Sequence, residues 1–366
     1  MTTEAPAGTT ADDQISREEL QLAARNHGMP LEALHHDVTP VGLHYLLIHY
    51  DIPVVEAASW TLTVGGAVER PLTVTLEDLQ AREVVTRPVT MECAGNGRAR
   101  LSPRALSQPW LLEAVGTGQW TGTPVWPLLA EADLRDDVVD VVFTGLDRGV
   151  EGGTEQQYAR ALTPEQLRRE DALLVYELNG APLPPQHGFP VRLLVPGWYG
   201  MTSVKWLASI EASTTEFAGY QQARAYRYRA DPDEPGEPVT RMAVRSLLAP
   251  PGVPDFFTRR RHLRPGDVTL TGRAWSGAGT VTRVEVSTDG GATWTDAELE
   301  PPTVDFAWQR WRAPWRAEAG DHELLCRATD SAGDTQPLEH RWNLGGYAVN
   351  TVHRVPVTVT AEPPVG

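Results

Sequence analysis

The sequence is poor in cysteine and has no long apolar run. Its 366 residues include two cysteines, Cys93 and Cys326, which lie far apart in the chain. Two are too few for a disulfide framework or for a zinc site built from thiolates alone. Because no uninterrupted apolar run approaches the roughly 18 residues of a membrane span, we expect no membrane-spanning segment.

Positive charge is also scarce. Lysine and arginine total 32 against 48 aspartates and glutamates, which gives a net charge of -16. Such a chain repels nucleic acid and anionic membrane surfaces over long range. We therefore expect no nucleic-acid partner, whereas a basic electron-transfer partner would be attracted.

The N-terminal segment lacks the features of a targeting signal. It has neither an apolar stretch nor twin arginines, and it is polar and acidic. Residues 1–15 are therefore predicted to be a disordered tail, and the expected compartment is the cytoplasm.

What remains indicates a globular protein of more than one domain. The length exceeds the roughly 100–200 residues of one domain, and 41% hydrophobic residues are ample for a core. With 32 glycines and 30 prolines, the composition favours many short strands joined by turns.

The pattern of elements changes along the chain. Up to about residue 225, short apolar runs typical of strands alternate with short helices, the first of which has Ser16 and Glu19 as a capping box. After a proline-rich connector the pattern is strand-like only, with Asp289-Gly290-Gly291 as a hairpin turn. The sequence predicts an α+β catalytic domain over residues 16–235 and an all-β, immunoglobulin-like sandwich over residues 240–366.

One thiol lies in a loop suited to chemistry. In the segment TMECAGNGR, Cys93 is followed by two glycines and, five residues on, by Arg98. A thiolate is a ligand for soft metals, and a nearby guanidinium lowers its pKa. The alternative is that Cys93 is a small buried hydrophobe, which is how we interpret Cys326 in its apolar strand.

A second segment, residues 187–205, combines cationic and hydrogen-bonding groups with a buried strand. Arginine binds phosphate or carboxylate in a bidentate manner and lysine adds a point charge. Together these side chains suit an anionic cofactor rich in heteroatoms, or else form a solvated surface cluster: His187, Arg192, Ser203 and Lys205.

The chain resembles the sulfite oxidase family of molybdenum-cofactor enzymes. The resemblance covers about residues 40–360 and is carried by MECAGNGR, ALLVYELNGAPLPPQHGFPVRLLVPGWYGMTSVKWL, VSTDGGATW, RATDSAG and WNLGGYAVNTVHRV. It implies a molybdopterin-binding domain followed by a dimerisation domain, and hence a homodimer. It also implies a molybdenum-molybdopterin cofactor with Cys93 as the protein ligand of the metal.

The same resemblance implies roles for other residues. Arg98 and Tyr226 would hold an oxyanion substrate, and Trp110 would line its pocket. The pterin contacts implied are Tyr45, His49, Asp147, His187, Arg192, Ser203, Val204 and Lys205.

Two departures concern the substrate pocket. Leu47 stands where the family has an arginine, and Gly345, in WNLGG, stands where it has a second. A buried anion without cations costs several kcal/mol, so sulfite binding should be weak or the substrate less charged. Arg25 repeats the missing Arg-Asn-His motif upstream and is a possible substitute cation, as is Arg227.

The remaining expectations concern partners and rival functions. We find no haem-attachment motif, so electrons from the small-molecule substrate should pass to an external acceptor, a cytochrome or oxygen. Rival functions are another oxygen-transfer reaction, such as sulfoxide reduction, and a scaffold without catalysis. His44 is interpreted as solvated or capping, and three tryptophans as sandwich core or dimer surface: Trp308, Trp311 and Trp315.

Overall fold

A computed structural model describes residues 15–361 of the chain. The predicted N-terminal tail, apart from Ile15, lies outside the described residues, as do residues 362–366.

The helices of the described chain are short. The α-helices are α1 (Arg17–Ala23), α2 (Leu76–Gln80), α3 (Val125–Ala132) and α4 (Pro164–Arg169). Turns of 3-10 helix occur at Leu31–His35, Val41–Leu43, Ala57–Ser59, Arg98–Arg100, Pro185–His187 and Gly200–Thr202, and a π-helical turn at Gln221–Ala225.

Local sequence signals explain where two of these helices begin. The Ser16 hydroxyl accepts a hydrogen bond from the Glu19 backbone, and the Glu19 carboxylate accepts one from the Ser16 backbone, so the predicted capping box is confirmed. Thr163 caps α4 in the same way, with Pro164 at the first helical position, where no donor is lost.

The first half of the chain forms two sheets with helices around them. Its strands are β1 (Thr61–Gly66), β2 (Leu72–Thr75), β3 (Val85–Glu92), β4 (Val115–Pro124), β5 (Asp140–Glu151), β6 (Thr154–Leu162), β7 (Leu173–Leu178), β8 (Ala181–Pro182), β9 (Arg192–Leu194) and β10 (Leu207–Ser213). One sheet has the order β2-β1-β10-β5-β6, and the other has β3-β4-β7-β8 with β9 beside β7. This is the predicted α+β arrangement.

The second half is built from strands alone. A small hairpin, β11 (Arg227–Tyr228) with β12 (Glu237–Pro238), precedes it. The strands that follow are β13 (Arg245–Leu248), β14 (Val253–Pro254), β15 (Arg261–Leu263), β16 (Gly266–Trp275), β17 (Val281–Ser287), β18 (Thr295–Asp296), β19 (Glu298–Leu299), β20 (Gln309–Ala317), β21 (Gly320–Asp330) and β22 (His353–Val359). They form two sheets, β13-β16-β20-β19 and β14-β15-β22-β21-β17-β18, whose inner faces share one apolar core.

The tryptophans of the sandwich are interior residues. Trp311 and Trp315 lie in the core between its two sheets, together with Cys326, which confirms the buried-thiol interpretation. Trp308 lies in a separate core that contains residues from both halves of the chain, including Tyr226. Because all three indole side chains are buried within the single chain, they do not form a dimer surface.

Of the helices within residues 15–361, none combines the length and apolar character needed to span a membrane.

Candidate active site

The Cys93 loop leaves the end of β3 and is anchored on both sides. The Cys93 amide donates to the Ala114 carbonyl at 2.9 Å, and Asn96 Nδ2 donates to the Glu92 carboxylate at 3.0 Å. Gly97 has a φ of 98°, a left-handed conformation that favours glycine. The chain therefore turns sharply after Cys93 and brings Arg98 back beside it.

The carboxylate that precedes Cys93 is fully buried and is held by the second domain. Glu92 forms an ion pair with Arg245 at 3.0 Å and accepts a hydrogen bond from Trp275 Nε1 at 2.9 Å. The base of the Cys93 loop is thus bonded to both halves of the chain.

The environment of the Cys93 thiol combines burial with donors. Burial raises its pKa, while the Arg98 charge and the nearby N–H groups of Gly95 and Trp110 oppose the shift. These are groups that stabilise a thiolate. The side chain faces two neighbouring cavities.

The deeper cavity contains about 660 Å³ of space free of protein atoms, part of which is open to solvent. Cys93, Met91 and Tyr226 lie in its wall. The other polar and charged lining residues are His44, Tyr45, His49, Asp147, Tyr158, His187, Arg192, Ser203 and Lys205.

This deeper cavity contains cations without carboxylate partners. Arg192 is buried, donates to the carbonyls of His187 and Ser203 at 3.1 and 2.8 Å, and leaves Nε unpaired. Lys205 Nζ donates to the Leu47 and Gln186 carbonyls. No ion pair joins Arg192 or Lys205 to a carboxylate within residues 15–361. Buried, uncompensated cations indicate an anionic ligand, so the interpretation as a solvated surface cluster is wrong.

Burial also shifts the titration of two groups in this wall. It lowers the pKa of Lys205 to about 7 and raises that of Asp147 to about 6. Asp147 Oδ1 has no hydrogen-bond partner in the described part of the chain. A large ligand with negative charge and hydrogen-bond donors would satisfy both groups, so the cavity fits a cofactor of the pterin-phosphate type.

Most of the predicted cofactor contacts come together here, with one exception. Seven of the eight predicted contacts line the cavity: Tyr45, His49, Asp147, His187, Arg192, Ser203 and Lys205. Val204 does not: its side chain packs in the apolar core, and its backbone bonds to Leu193 and Thr202.

His44 corrects the sequence interpretation. It is buried in the cofactor cavity, stacked on Tyr45 and edge-on to His187, so it is neither solvated nor capping. Its position near the Cys93 loop had no signal in the sequence beyond its nearness to Tyr45.

The second cavity shares Leu47, His49, Cys93 and Tyr226 with the first and measures about 920 Å³, including space open to solvent. We call it the substrate pocket. Arg98, Trp110 and Tyr226, the residues predicted to contact substrate, all line it. Its aliphatic wall consists of Leu22, Leu47, Ile48, Leu106 and Val150.

Arg98 is buried but forms no ion pair in the described chain. Its Nε donates to the Gly345 carbonyl at 2.9 Å and its Nη1 to the Gln108 carbonyl at 3.2 Å. The guanidinium carbon would lie 2.6 Å from a Cβ at Gly95, so only glycine permits this approach. The guanidinium is therefore fixed at the inner end of the pocket, with Nη2 left to bind a ligand.

Tyr226 follows the π-helical turn Gln221–Ala225, an element often found at functional sites. The buried Arg160 donates to the Gln221 carbonyl and lies 5.6 Å from the centre of the Tyr226 ring. Burial, followed by the neighbouring phenols, raises the pKa of Tyr226 well above its usual value, so its hydroxyl remains a donor. Sequence reasoning missed Arg160.

A carboxylate that was also missed lines the substrate pocket. Glu151, at the end of β5, accepts hydrogen bonds from Tyr50 at 2.9 Å and Gln221 at 2.7 Å and pairs with His49 Nε2 at 2.9 Å. Its side chain remains 33% exposed. His49, predicted as a pterin contact only, thus connects the two cavities.

The predicted departures are placed as follows. Leu47 does line the substrate pocket, whereas Gly345 does not, and its carbonyl instead positions Arg98. A Cβ at Gly345 would overlap the Tyr347 ring, which lines the pocket in its place. Arg25 is exposed and bonds to the Tyr50 carbonyl, and Arg227 bonds to backbone carbonyls of the β11–β12 turn, so neither is the substitute cation.

Side chains alone do not form a metal site in this part of the chain. Within residues 15–361, no three histidine, cysteine, aspartate or glutamate side chains group as metal ligands. A metal bound to Cys93 must therefore obtain other ligands from an organic cofactor, for which the deeper cavity is suited.

Comparison with known proteins agrees with this site. The family model "Oxidoreductase molybdopterin binding domain" matches residues 49–221, and "Mo-co oxidoreductase dimerisation domain" matches residues 237–360. Mitochondrial sulfite oxidase of Mus musculus is 34% identical, covering 95% of this chain and 67% of the relative. For Gallus gallus sulfite oxidase the identity is 34%, with 87% and 72% covered.

More distant relatives share the fold. A nitrate reductase of Solanum lycopersicum is 31% identical over 96% of this chain and 42% of its own. The crystal structure of the sulfane dehydrogenase SoxCD from Paracoccus pantotrophus superposes with a TM-score of 0.79 at 23% identity, covering 98% of this chain and 96% of the other.

Fold and site together define a molybdenum-cofactor oxidoreductase, an enzyme that transfers an oxygen atom to or from a small oxyanion or sulfur compound. The chain belongs to the sulfite oxidase family, and its cofactor is molybdenum-molybdopterin. When bound, this cofactor supplies the two-electron redox chemistry. A scaffold without catalysis is thereby excluded.

Proposed function

We propose that the enzyme oxidises a small sulfur oxyanion at a molybdenum bound by Cys93 and passes the electrons to an external acceptor, a cytochrome or oxygen. The observation that carries this proposal is the meeting of two cavities at one thiol. One has uncompensated cations suited to a cofactor, and the other has a guanidinium and a phenol donor suited to an oxyanion.

The proposed roles follow from position. Cys93 binds the metal, while Arg192, Lys205 and His187 hold the polar edge and phosphate of the pterin. In the substrate pocket, Arg98 Nη2 and the Tyr226 hydroxyl donate to the substrate oxygens. Donors fixed before the substrate arrives stabilise developing charge more than mobile water does.

Trp110 in the substrate pocket, and Tyr45 and Ser203 in the deeper cavity, shape the two walls. Trp110 excludes water beside Cys93, and Tyr45, whose ring stacks on His44, forms part of the wall of the deeper cavity. Ser203 Oγ accepts a hydrogen bond from the Val195 amide at 3.1 Å, which fixes the loop before Lys205.

A second candidate function is the reduction of a neutral sulfoxide. It is favoured by Leu47, which removes a cation, and by Glu151, which adds a negative charge. Against it stands the unpaired Arg98 guanidinium, which a neutral substrate would leave uncompensated. Turnover with a reduced dye as electron donor, in place of an oxidant, would favour the sulfoxide candidate.

The metal ligand provides the direct test. We expect purified enzyme to contain molybdenum and to reduce ferricyanide with a sulfur oxyanion as electron donor. Cys93→Ser should lose turnover while remaining folded, because a hydroxyl is a poorer ligand for a soft metal. Cys326→Ala is the matched control, since it removes the other buried thiol far from the site, and it should remain active. A fully active Cys93→Ser enzyme would contradict the proposal.

We further infer the organisation around this site. The domain boundary is proposed between residues 235 and 240, and the sandwich is proposed to be immunoglobulin-like and to form the homodimer. A cytoplasmic location is proposed as well. The dimerisation-domain match over residues 237–360 supports the domain boundary and the homodimer. The two-sheet sandwich supports the immunoglobulin-like architecture.

A further inference from the structure

We propose that the preferred substrate is an organosulfinate, R–SO2⁻, in which R is an apolar group, and that Glu151 and the aliphatic wall select it over sulfite. This inference rests on the proposed function and names its substrate class. It draws on the charge balance and the apolar lining of the substrate pocket.

The charges of the pocket favour a single negative charge on the substrate. Among its described lining residues, Arg98 is the one arginine or lysine and Glu151 the one carboxylate. A sulfite dianion would meet one permanent cation and the negative charge of Glu151, which is offset only when its partner His49 is protonated. A sulfinate brings one negative charge, which the unpaired guanidinium of Arg98 compensates.

Glu151 is held in place to exert this effect. Three neighbours, His49, Tyr50 and Gln221, bond to the same oxygen, Oε2, and so fix the carboxylate in the wall. Its charge reaches the inner pocket: burial is the main reason that the pKa of Tyr226 and of Tyr347 is raised, and the Glu151 charge adds to the shift at both phenols. An anion bound between those two phenols and Arg98 lies within the same field.

The mouth of the pocket is apolar. Leu106 is 69% and Val150 76% exposed, whereas Cys93 is 8% and Arg98 5% exposed. The oxyanion end of a substrate is therefore bound deep in the pocket, and a second substituent points toward the aliphatic mouth. Sulfite has oxygen at every position around its sulfur and gains nothing from that wall, whereas an alkyl or aryl group buries apolar surface there.

The proposed oxidation of a sulfinate balances as a two-electron oxygen-atom transfer, the type of reaction that the family catalyses. A sulfinate and water give a sulfonate, two protons and two electrons: R–SO2⁻ + H2O → R–SO3⁻ + 2 H⁺ + 2 e⁻. One sulfur–oxygen bond forms, and the sulfur lone pair is the source of both electrons. In the assay, two equivalents of ferricyanide accept them.

The test compares donors with the molybdenum-loaded, full-length enzyme. Methanesulfinate, benzenesulfinate and sulfite are oxidised with ferricyanide in parallel, and kcat/KM is determined for each. We expect benzenesulfinate to exceed sulfite at least tenfold and to exceed methanesulfinate. A readout independent of turnover is the calorimetric binding of benzenesulfonate, expected to be tighter than that of sulfate.

Two variants assign the preference to its causes. Glu151→Gln should raise kcat/KM roughly tenfold for sulfite and about threefold for benzenesulfinate, because a doubly charged ion feels twice the repulsion. Glu155→Gln is the matched control, since this exposed carboxylate pairs with Arg148 outside the pocket, and it should change neither value. Leu106→Asn should lower the ratio of kcat/KM for benzenesulfinate to kcat/KM for methanesulfinate. The expected decrease is about fourfold for each methylene-sized area of apolar surface that is no longer buried.

The outcomes separate this inference from the proposed function. If the enzyme oxidises sulfite with a kcat/KM equal to or above that of benzenesulfinate, the substrate class is wrong and the proposed function stands. If loaded enzyme oxidises none of the three donors, the proposed function fails with it. If Glu151→Gln and Glu155→Gln behave alike, Glu151 does not select the substrate.

Discussion

The two cavities that meet at Cys93 differ in how their walls are built. Much of the cofactor cavity comes from one continuous stretch, residues 187–205, in which the side chains are buried and fixed by backbone carbonyls. The substrate pocket is assembled from segments far apart in the chain, from Leu22 to Tyr347. The wall of the cofactor cavity is suited to one large polar ligand. The charge and shape of the substrate pocket depend on a few single residues.

This difference indicates which residues determine the choice of substrate in such an enzyme. Replacing a cation in the cofactor wall would remove the cofactor and all activity with it. Replacing Leu47 by a charged residue, or neutralising Glu151, changes the charge of the substrate pocket and keeps the Arg192 and Lys205 cations of the cofactor wall. Variants of the two walls should therefore fail in different ways.

The largest effect is expected in the cofactor wall. Arg192→Ala should yield protein depleted in molybdopterin, because a charge-assisted hydrogen bond to the cofactor is lost. Cofactor released by acid and molybdenum by mass spectrometry provide the measurement. Arg168→Ala is the control, since this exposed arginine stacks on Trp126 away from both cavities. Wild-type cofactor content in the Arg192 variant would show that the two walls do not differ in this way.

A smaller effect is expected at the inner end of the substrate pocket. Arg98→Lys should retain its cofactor and lose about 10–100-fold in kcat/KM, as expected for one charge-assisted hydrogen bond of roughly 1.5–3 kcal/mol. A lysine keeps the charge but cannot bind Gly345, Gln108 and a substrate in one plane. Loss of molybdopterin in this variant would contradict the separation of the two walls.

The smallest effect concerns the missing cations. Sulfite oxidation by the wild type should be weak, with a high KM, and Leu47→Arg should lower that KM about tenfold by returning a charge to the pocket. A wild-type KM in the low micromolar range would show that the pocket lacks no cation.

Gly345→Arg provides a contrast to Leu47→Arg. It should not tighten sulfite use, because a side chain at 345 overlaps Tyr347, whose hydroxyl is bonded to the Ala225 carbonyl at 3.0 Å. If it lowers the KM as Leu47→Arg does, residue 345 faces the pocket after all.

Sequence was informative where function depends on short, continuous segments. The Cys93 loop and residues 187–205 each bring several groups to one place, because a tight turn or a single strand joins them. The Ser16–Glu19 capping box and the hairpin turn at Asp289 are equally local and were predicted for the same reason.

What could not be predicted depends on long-range packing. Glu151 and Arg160 lie on neighbouring strands with no unusual local pattern, and only the approach of Gln221 and Tyr226 gives them partners. Gly345 illustrates the same limit: its place in a motif was clear, but the Tyr347 ring that fills the nearby space was not.

The buried pair of Glu92 and Arg245 has a consequence for how the protein unfolds. Separating a buried ion pair costs about 3–5 kcal/mol when one partner is left behind. Melting of the sandwich alone would strand the Glu92 carboxylate in an apolar site and release the carbonyl that holds Arg98. The sandwich therefore stabilises the Cys93 loop as well as itself, and we expect loss of the sandwich to disturb the position of Arg98.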